Sequence, residues 1–144
     1  MSTVTSPSST APVQTGKALH IGLWIAQALL ALDFGMAGFM KIGTPIDELA
    51  KSLPWVTSTP VPLVRFIGTA ELLGAIGLVL PAATRIKPGL TALAGAGLVT
   101  VMLLASAFHL SRGEAGALPV NFVLGGLAAF VAWGRWKRAP ISPR

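Results

Sequence analysis

Four long apolar stretches dominate the sequence, at residues 19–40, 61–80, 90–110 and 117–133. At a rise of 1.5 Å per residue, roughly 20 residues cross a hydrocarbon core of about 30 Å. Prolines near the starts of the second and fourth stretches suit helix N-termini, and we expect Pro81 to close the second helix. The richness in Leu, Ala and Gly favours helices over the alternating strands of a barrel. The pattern therefore predicts an all-α fold, a four-helix transmembrane bundle.

The polar connection between the first two spans carries the signature of a helix start. Thr44 is placed to cap the helix, Pro45 occupies its first position, and Asp47 and Glu48 lie near its positive end. Apolar residues follow, ending with Trp55, which we expect at the bilayer surface. We predict a short interfacial helix between spans 1 and 2.

The two ends of the chain differ from this central part. Residues 1–16 are rich in Ser, Thr and Pro and carry no charged side chain, so we predict a disordered tail that lacks the basic region of a secretory signal. Residues 17–136 form the predicted transmembrane domain. Residues 137–144 form a basic tail.

The composition points to the same class of protein. Charged residues make up 11% of the chain and hydrophobic residues 53%, which is too few polar side chains to cover a soluble domain of 144 residues. The absence of cysteine excludes disulfides, thiolate metal sites and iron–sulfur clusters. The net charge of +6 comes without a basic stripe of interleaved aromatics, so we expect no nucleic-acid partner.

The distribution of basic residues predicts an orientation. One side of the bundle would hold Lys17, Arg85, Lys87, Arg135, Lys137, Arg138 and Arg144. The other side would hold Lys41, Lys51, Arg65 and Arg112, together with Asp47, Glu48 and Glu114. The positive-inside rule then predicts a multi-pass protein of the plasma (inner) membrane with both termini in the cytoplasm.

Polar residues within the spans are the strongest functional signal, because a buried ionisable group is costly in a membrane unless it is paired or hydrated. The inner half of the bilayer holds little beyond Gln27 and Thr100. The outer half holds a polar group from each helix: Asp33, Arg65, Glu71, Ser106, His109 and Asn121. This asymmetry predicts a polar pocket that opens outward inside the bundle.

Glu71 is the hardest of these residues to explain by structure alone. It lies near the middle of its span, and Gly68 on its face leaves room for a neighbour or ligand. Desolvation disfavours a charged carboxylate, so we expect Glu71 to exchange protons with a bound substrate, with His109 as a second acid–base group. The alternative is a structural pairing of Glu71 with His109 or Arg65.

The candidates for binding substrate are Asp33, Lys41, Arg65 and Asn121, and these residues and His109 also have structural alternatives. Arg65 can extend to the outer headgroups, and His109 can be an ordinary interfacial residue. Asn121 can form a hydrogen bond between helices. Asp33 can pair with Lys41.

The histidines limit the cofactors. His20 and His109 lie most of a bilayer thickness apart, so they cannot both hold one haem within one subunit. Ligation through His109 alone, or across subunits, stays open. No ligand spacing supports a metal site formed by His109, Glu71 and Asp33, and we expect none.

Residues 65–81 (RFIGTAELLGAIGLVLP) closely resemble the second span of DoxX-like membrane proteins. The stretches 38–41 (GFMK) and 109–114 (HLSRGE), and Asn121 at the start of the fourth span, fit the same family, so that the resemblance covers residues 19–135. It implies a small bacterial four-helix membrane protein loosely associated with redox reactions and quinones. The positions that carry over as site candidates are Lys41, Arg65, Glu71, His109 and Asn121.

The leading hypothesis is a membrane subunit that binds a small apolar redox molecule such as a quinone in the outer-half pocket. Glu71 and His109 would handle protons, while Arg65 or Asn121 would orient a carbonyl. Its partners would be the lipid bilayer and other membrane redox proteins. The alternatives are a self-contained isomerase that transfers protons on a lipophilic substrate, a small carrier that would require a homo-oligomer, and a scaffold without chemistry.

Overall fold

The computed structural model describes residues 14–144, so most of the predicted N-terminal tail lies outside the described residues. All regular elements of the described chain are helical, which confirms the predicted fold class. They are α1 (Gln14–Gly43), the one-turn helix α2 (Ile46–Leu49), a 3-10 turn (Pro54–Ser58), α3 (Val61–Thr84), α4 (Gly89–Ser111), a second 3-10 turn (Ala115–Ala117), α5 (Leu118–Trp133) and a π-helical turn (Gly134–Arg138).

Four helical segments are long and apolar enough to cross a membrane: Gly16–Gly43, Val61–Thr84, Gly89–Ser111 and Ala115–Arg138. Each contains the corresponding stretch predicted from hydropathy. The bundle buries at most 33% of the most apolar 18-residue window in any of them, so most residues of the spans keep part of their surface outside the protein. Such a surface is suited to lipid, where the backbone must be hydrogen-bonded within the helix.

Two local predictions about helix ends are wrong. Pro81 does not close α3, which continues through it to Thr84 and ends at Arg85 in a left-handed conformation with φ of 61°. A proline removes one backbone donor, but the rest of the ladder continues beyond it. Thr44 does not cap α2, because the residue before the helix is Pro45 and no side chain bonds to its first turn.

The four long helices run alternately up and down, and each of α1, α3 and α4 packs against the next one in this order, α1–α3–α4–α5. We call the end that carries Lys17, the turn at residues 85–88 and residues 134–144 the basic end. The opposite end, with residues 44–60 and 112–117, is the connection end. At the basic end the chain terminus returns to α3, where the Arg144 amide donates to the Arg85 carbonyl at 3.1 Å.

The apolar core is concentrated between the middle of the bundle and the basic end. Leu23, Leu30, Leu78, Leu98 and Val131 are buried there. A smaller cluster of Leu49, Val56 and Val64 attaches the connection between α1 and α3 to the bundle. The main apolar core and this smaller cluster are separate, and a cavity lies between them in the half of the bundle near the connection end.

Candidate functional site

A cavity of about 520 Å³ lies in the connection-end half of the bundle, and all four long helices line it. We call it the chamber. Its wall is largely apolar and aromatic, with Phe34, Trp55, Phe66 and Phe108 among the lining residues. Ligand sites commonly have this size and combine an apolar wall with a few polar groups. The polar or ionisable lining residues include five of the six candidates from the sequence: Asp33, Lys41, Glu71, His109 and Asn121.

The central polar feature of the chamber is an ion pair between Lys41 on α1 and Glu71 on α3. The Lys41 Nζ donates to Glu71 Oε2 at 2.7 Å, and the two side chains are only 8% and 6% exposed. Glu71 is therefore paired with Lys41 rather than with His109 or Arg65. A short charge-assisted hydrogen bond of this kind offsets much of the cost of burying both charges.

Two glycines allow the helices to approach closely enough for this pair. A Cβ added at Gly68 would lie 2.6 Å from the Lys41 Cβ, and one at Gly38 would lie 2.6 Å from the Gly68 carbonyl oxygen. Small residues at such crossings bring transmembrane backbones together. Each glycine precedes its charged residue by three positions, Gly38 before Lys41 and Gly68 before Glu71, so the glycine and the charged residue share one face of each helix.

His109 is oriented by the loop that follows α4. Its Nδ1 lies 2.7 Å from Glu114 Oε2, and the Arg112 Nε donates to the other carboxylate oxygen at 2.8 Å. These hydrogen bonds lower the pKa of Glu114 below its usual range, so the carboxylate is ionised and accepts from the imidazole. The ring packs edge-on against Trp55 and Phe108. With Nδ1 committed to Glu114, Nε2 is the nitrogen left for other partners.

Asn121 and Asp33 are held differently. The Asn121 Nδ2 is buried, yet it has no hydrogen-bond partner within residues 14–144. A buried donor without an acceptor costs roughly 1–3 kcal/mol, so such groups are rare and call for an explanation. Asp33 is an exposed carboxyl on the chamber wall, and Lys41 pairs with Glu71 rather than with it.

Arg65, the sixth candidate, does not line the chamber. Its Nη1 donates to the backbone carbonyls of Lys41 at 2.6 Å and Thr44 at 2.8 Å. The last carbonyls of a helix lack partners within the helix, and a guanidinium at that end satisfies them. Arg65 thus attaches the end of α1 to α3. It does not extend to the headgroups, and it does not line the chamber where a ligand would bind.

Residues 44–60, which connect α1 to α3, cover the chamber at the connection end. Leu53, Trp55 and Thr59 line it, so Trp55 is part of the site rather than only an interfacial anchor. The Arg112 Nη1 donates to Ser58 Oγ at 2.5 Å and ties the connection to the end of α4. This contact joins segments far apart in the sequence and has no recognisable sequence signal.

A second polar cluster, at the basic end, was not predicted. Arg135, counted above as a basic residue outside the membrane core, is 4% exposed and donates through Nε to Gln27 Oε1 at 2.6 Å. Its Nη1 lies 2.9 Å from His20 Nδ1, and its guanidinium lies over the Trp24 ring at 5.4 Å. The Gln27 amide in turn donates to the Leu78 carbonyl at 2.5 Å. This half of the bundle is more polar than hydropathy alone predicted.

The positions of the histidines bear on cofactor binding. His20 contacts Arg135 at the basic end, whereas His109 lies at the connection end, so the two rings are at opposite ends of the bundle. Within residues 14–144, no group of three or more His, Asp or Glu side chains is arranged to hold a metal ion.

These features define a class: a four-helix membrane protein with a partly polar chamber in one half of its bundle. The chain belongs to the DoxX-like family, whose model matches residues 25–131 and so covers all six candidate residues. This confirms the resemblance found in the sequence. No curated protein and no solved structure matches the chain.

Proposed function

We propose that the protein binds a small, largely apolar molecule with a carbonyl group, a quinone being the leading class, in the chamber. The observation that carries this proposal is Asn121, which lines an apolar cavity of about 520 Å³ and whose buried Nδ2 lacks an acceptor within the described chain. A carbonyl oxygen would accept the missing hydrogen bond. The apolar wall would surround the rest of the molecule.

A purely structural role accounts for some polar residues of this region but not for all of them. Lys41 and Glu71 satisfy each other, and Arg65 satisfies the end of α1. Neither contact explains why Asn121 has a donor without an acceptor, or why Asp33 is an exposed carboxyl on the same wall. The proposal gives these two residues a ligand to contact.

In the bound state, Asn121 orients the ligand carbonyl, and His109 offers Nε2 for a second hydrogen bond. Glu71 and His109 are the groups proposed to exchange protons with the ligand. Lys41 places a positive charge next to the Glu71 carboxylate. Asp33 contacts the ligand from α1. Arg65 acts indirectly, because it positions the end of α1 that carries Lys41.

We further propose that the protein works as a subunit of a membrane redox system, with electrons handled by partner proteins. The charge distribution supports a plasma-membrane localisation with the basic end toward the cytoplasm. Lys17, Arg85, Lys87 and residues 137–144 lie at the basic end, whereas Asp47, Glu48 and Glu114 lie at the connection end. The chamber would then open within the outer half of the bilayer.

A second candidate function is an isomerase that moves a proton on a lipophilic substrate without an electron partner. The observation in its favour is that two acid–base groups, Glu71 on α3 and His109 on α4, reach one cavity from different helices. Turnover by the isolated protein would favour this candidate, whereas binding without turnover would favour the subunit.

Binding of a tail-less benzoquinone to the protein in lipid nanodiscs tests the proposal, with Asn121→Leu as the variant. Removing the amide should weaken binding about tenfold, which corresponds to roughly 1.4 kcal/mol, while leaving the fold as stable or more stable, since an unsatisfied donor is lost. Thr69→Val is the matched control, because Thr69 is exposed, bonds only within its own helix and lies outside the chamber.

The readout is quenching of tryptophan fluorescence, with Trp55→Phe identifying the signal from the chamber. Glu71→Gln should also weaken binding. No binding to the wild type, or equal affinity in the wild type, Asn121→Leu and Glu71→Gln, would overturn the proposal. A scaffold would instead lose stability in Glu71→Gln without any ligand effect.

A further inference from the structure

A second cavity, of about 460 Å³, lies between α3 and α4 on the surface that faces away from the bundle. We call it the α3/α4 groove. All of its lining residues are apolar, and its floor includes small residues such as Gly74, Gly77, Ala94 and Gly97. Larger side chains, including Leu73 and Leu93, are more than 60% exposed along its edges. In a bilayer, the groove opens toward the acyl chains.

The groove adjoins the chamber. Ala70 on α3 and Val101 on α4 line both cavities, so the two spaces adjoin at this level. From there the groove extends toward the basic end as far as Leu80, Pro81 and Leu90. The ten residues between Ala70 and Leu80 correspond to a length of about 15 Å along the helix.

This geometry separates a polar compartment from an apolar one. The chamber offers the ionisable and amide groups, whereas the groove offers no side chain able to form a hydrogen bond. An elongated and wholly apolar groove that adjoins a polar cavity fits one molecule with a polar head and a flexible hydrocarbon tail.

We propose that the ligand is such an amphiphile, with its head in the chamber and its tail in the α3/α4 groove. This inference rests on the proposed function, which supplies the head. It adds that the ligand enters sideways from the bilayer, and that tail-bearing molecules are preferred over tail-less ones. The tail leaves one apolar environment for another, so it gains packing rather than hydrophobic free energy, and we expect a preference of only a few-fold.

Two glycines provide a matched test. A Cβ added at Gly97, which lines the groove, or at Gly126, which lines neither cavity, would meet no other atom within 4 Å. Leucine can therefore be placed at either position without a clash at its Cβ. Gly97→Leu fills part of the groove, and Gly126→Leu adds the same side chain to another lipid-facing surface.

The probes are a dimethoxy-methyl-benzoquinone without a tail and the same head with a ten-carbon tail, compared at equal mole fraction in the nanodisc lipid. We expect Gly97→Leu to weaken binding of the tailed quinone about threefold or more, at unchanged affinity for the tail-less one. Gly126→Leu should change neither affinity.

The outcomes separate the two proposals. If the tail-less quinone does not bind the wild type, the proposed function fails. If it binds but Gly97→Leu leaves the affinity for the tailed quinone unchanged, the tail placement fails and the proposed function stands. A photoreactive group at the tail end gives a second measurement on the wild type, in which labelling of residues near Leu80 and Leu90 supports the inference and labelling of α1 or α5 overturns it.

Discussion

Two cations are buried in this bundle, one toward each end, and they are held in different ways. Lys41 has a carboxylate partner, Glu71, at 2.7 Å beside an open chamber. Arg135 has neutral acceptors, Gln27 Oε1 and the Ala139 carbonyl among them, in the half of the bundle that contains the main apolar core. A compact ammonium is well matched to one carboxylate, whereas a guanidinium can distribute its donors over several neutral groups.

The comparison indicates different roles for the two ends. Most polar groups around Arg135 are engaged with one another and with the backbone, as expected of a cluster that fixes helix positions, although Arg135 Nη2 is buried without a partner among residues 14–144. The polar groups of the chamber instead line a cavity of about 520 Å³, and among them Asn121 Nδ2 lacks an acceptor within the described residues. We therefore assign packing to the basic end and ligand binding to the connection end.

The largest expected effect is at Glu71. Replacing it by leucine leaves the Lys41 charge buried without its partner, which we expect to lower the free energy of unfolding by about 3–5 kcal/mol. The double variant Lys41→Met with Glu71→Leu should recover most of this loss, because both charges are gone. Unfolding in mixed micelles measures both values. A double variant no more stable than the single one would contradict this account of the pair.

A smaller effect is expected at Arg135. Arg135→Met removes a cation that has no carboxylate partner, so the cost arises mainly from neutral acceptors left unpaired, roughly 1–3 kcal/mol. Arg135→Lys should not restore the lost stability, because an ammonium lacks the planar fork that reaches both Gln27 and His20. Lys137→Met, at an exposed position, is the control. A loss as large as that of Glu71→Leu would remove the distinction between the two cations.

The smallest effect is a pH dependence at the connection end. The folded-state pKa of Glu114 is lowered by hydrogen bonds from His109 and Arg112. A lowered pKa contributes stability above the unfolded-state value, about 4.3, and this contribution is lost as the pH falls through the folded-state value. Thermal melts at decreasing pH below about 5 should therefore show a decline that Glu114→Gln weakens. An identical decline in the variant would argue against this carboxylate as its source.

Much of the fold could be predicted from the sequence, because long apolar runs between charged or proline-containing turns permit few structures other than membrane helices. The prediction was wrong at Pro81, where the helix continues, and at Thr44, which does not cap. Both errors concern one or two hydrogen bonds, which the surrounding packing can override.

The site was predicted less completely. Depth along each span indicated that Asp33, Glu71, His109 and Asn121 share one half of the bundle, and they line one chamber. Depth contains no information on which helix faces meet, so the partners of Glu71 and His109 were missed. Arg135 was missed for the same reason, since its position beyond the last apolar stretch gave no sign that it is buried.

The sequence by itself determined that the protein lies in lipid, how many spans it has and how deep its polar residues lie along each span. These properties depend on hydropathy and on the fixed rise of a helix. Only the tertiary structure decided which charges pair, that Arg65 serves a helix end, and that a chamber and a groove adjoin at Ala70 and Val101. These features depend on rotation about each helix axis and on close contact at glycines such as Gly68. Neither is encoded in the residues of one helix alone.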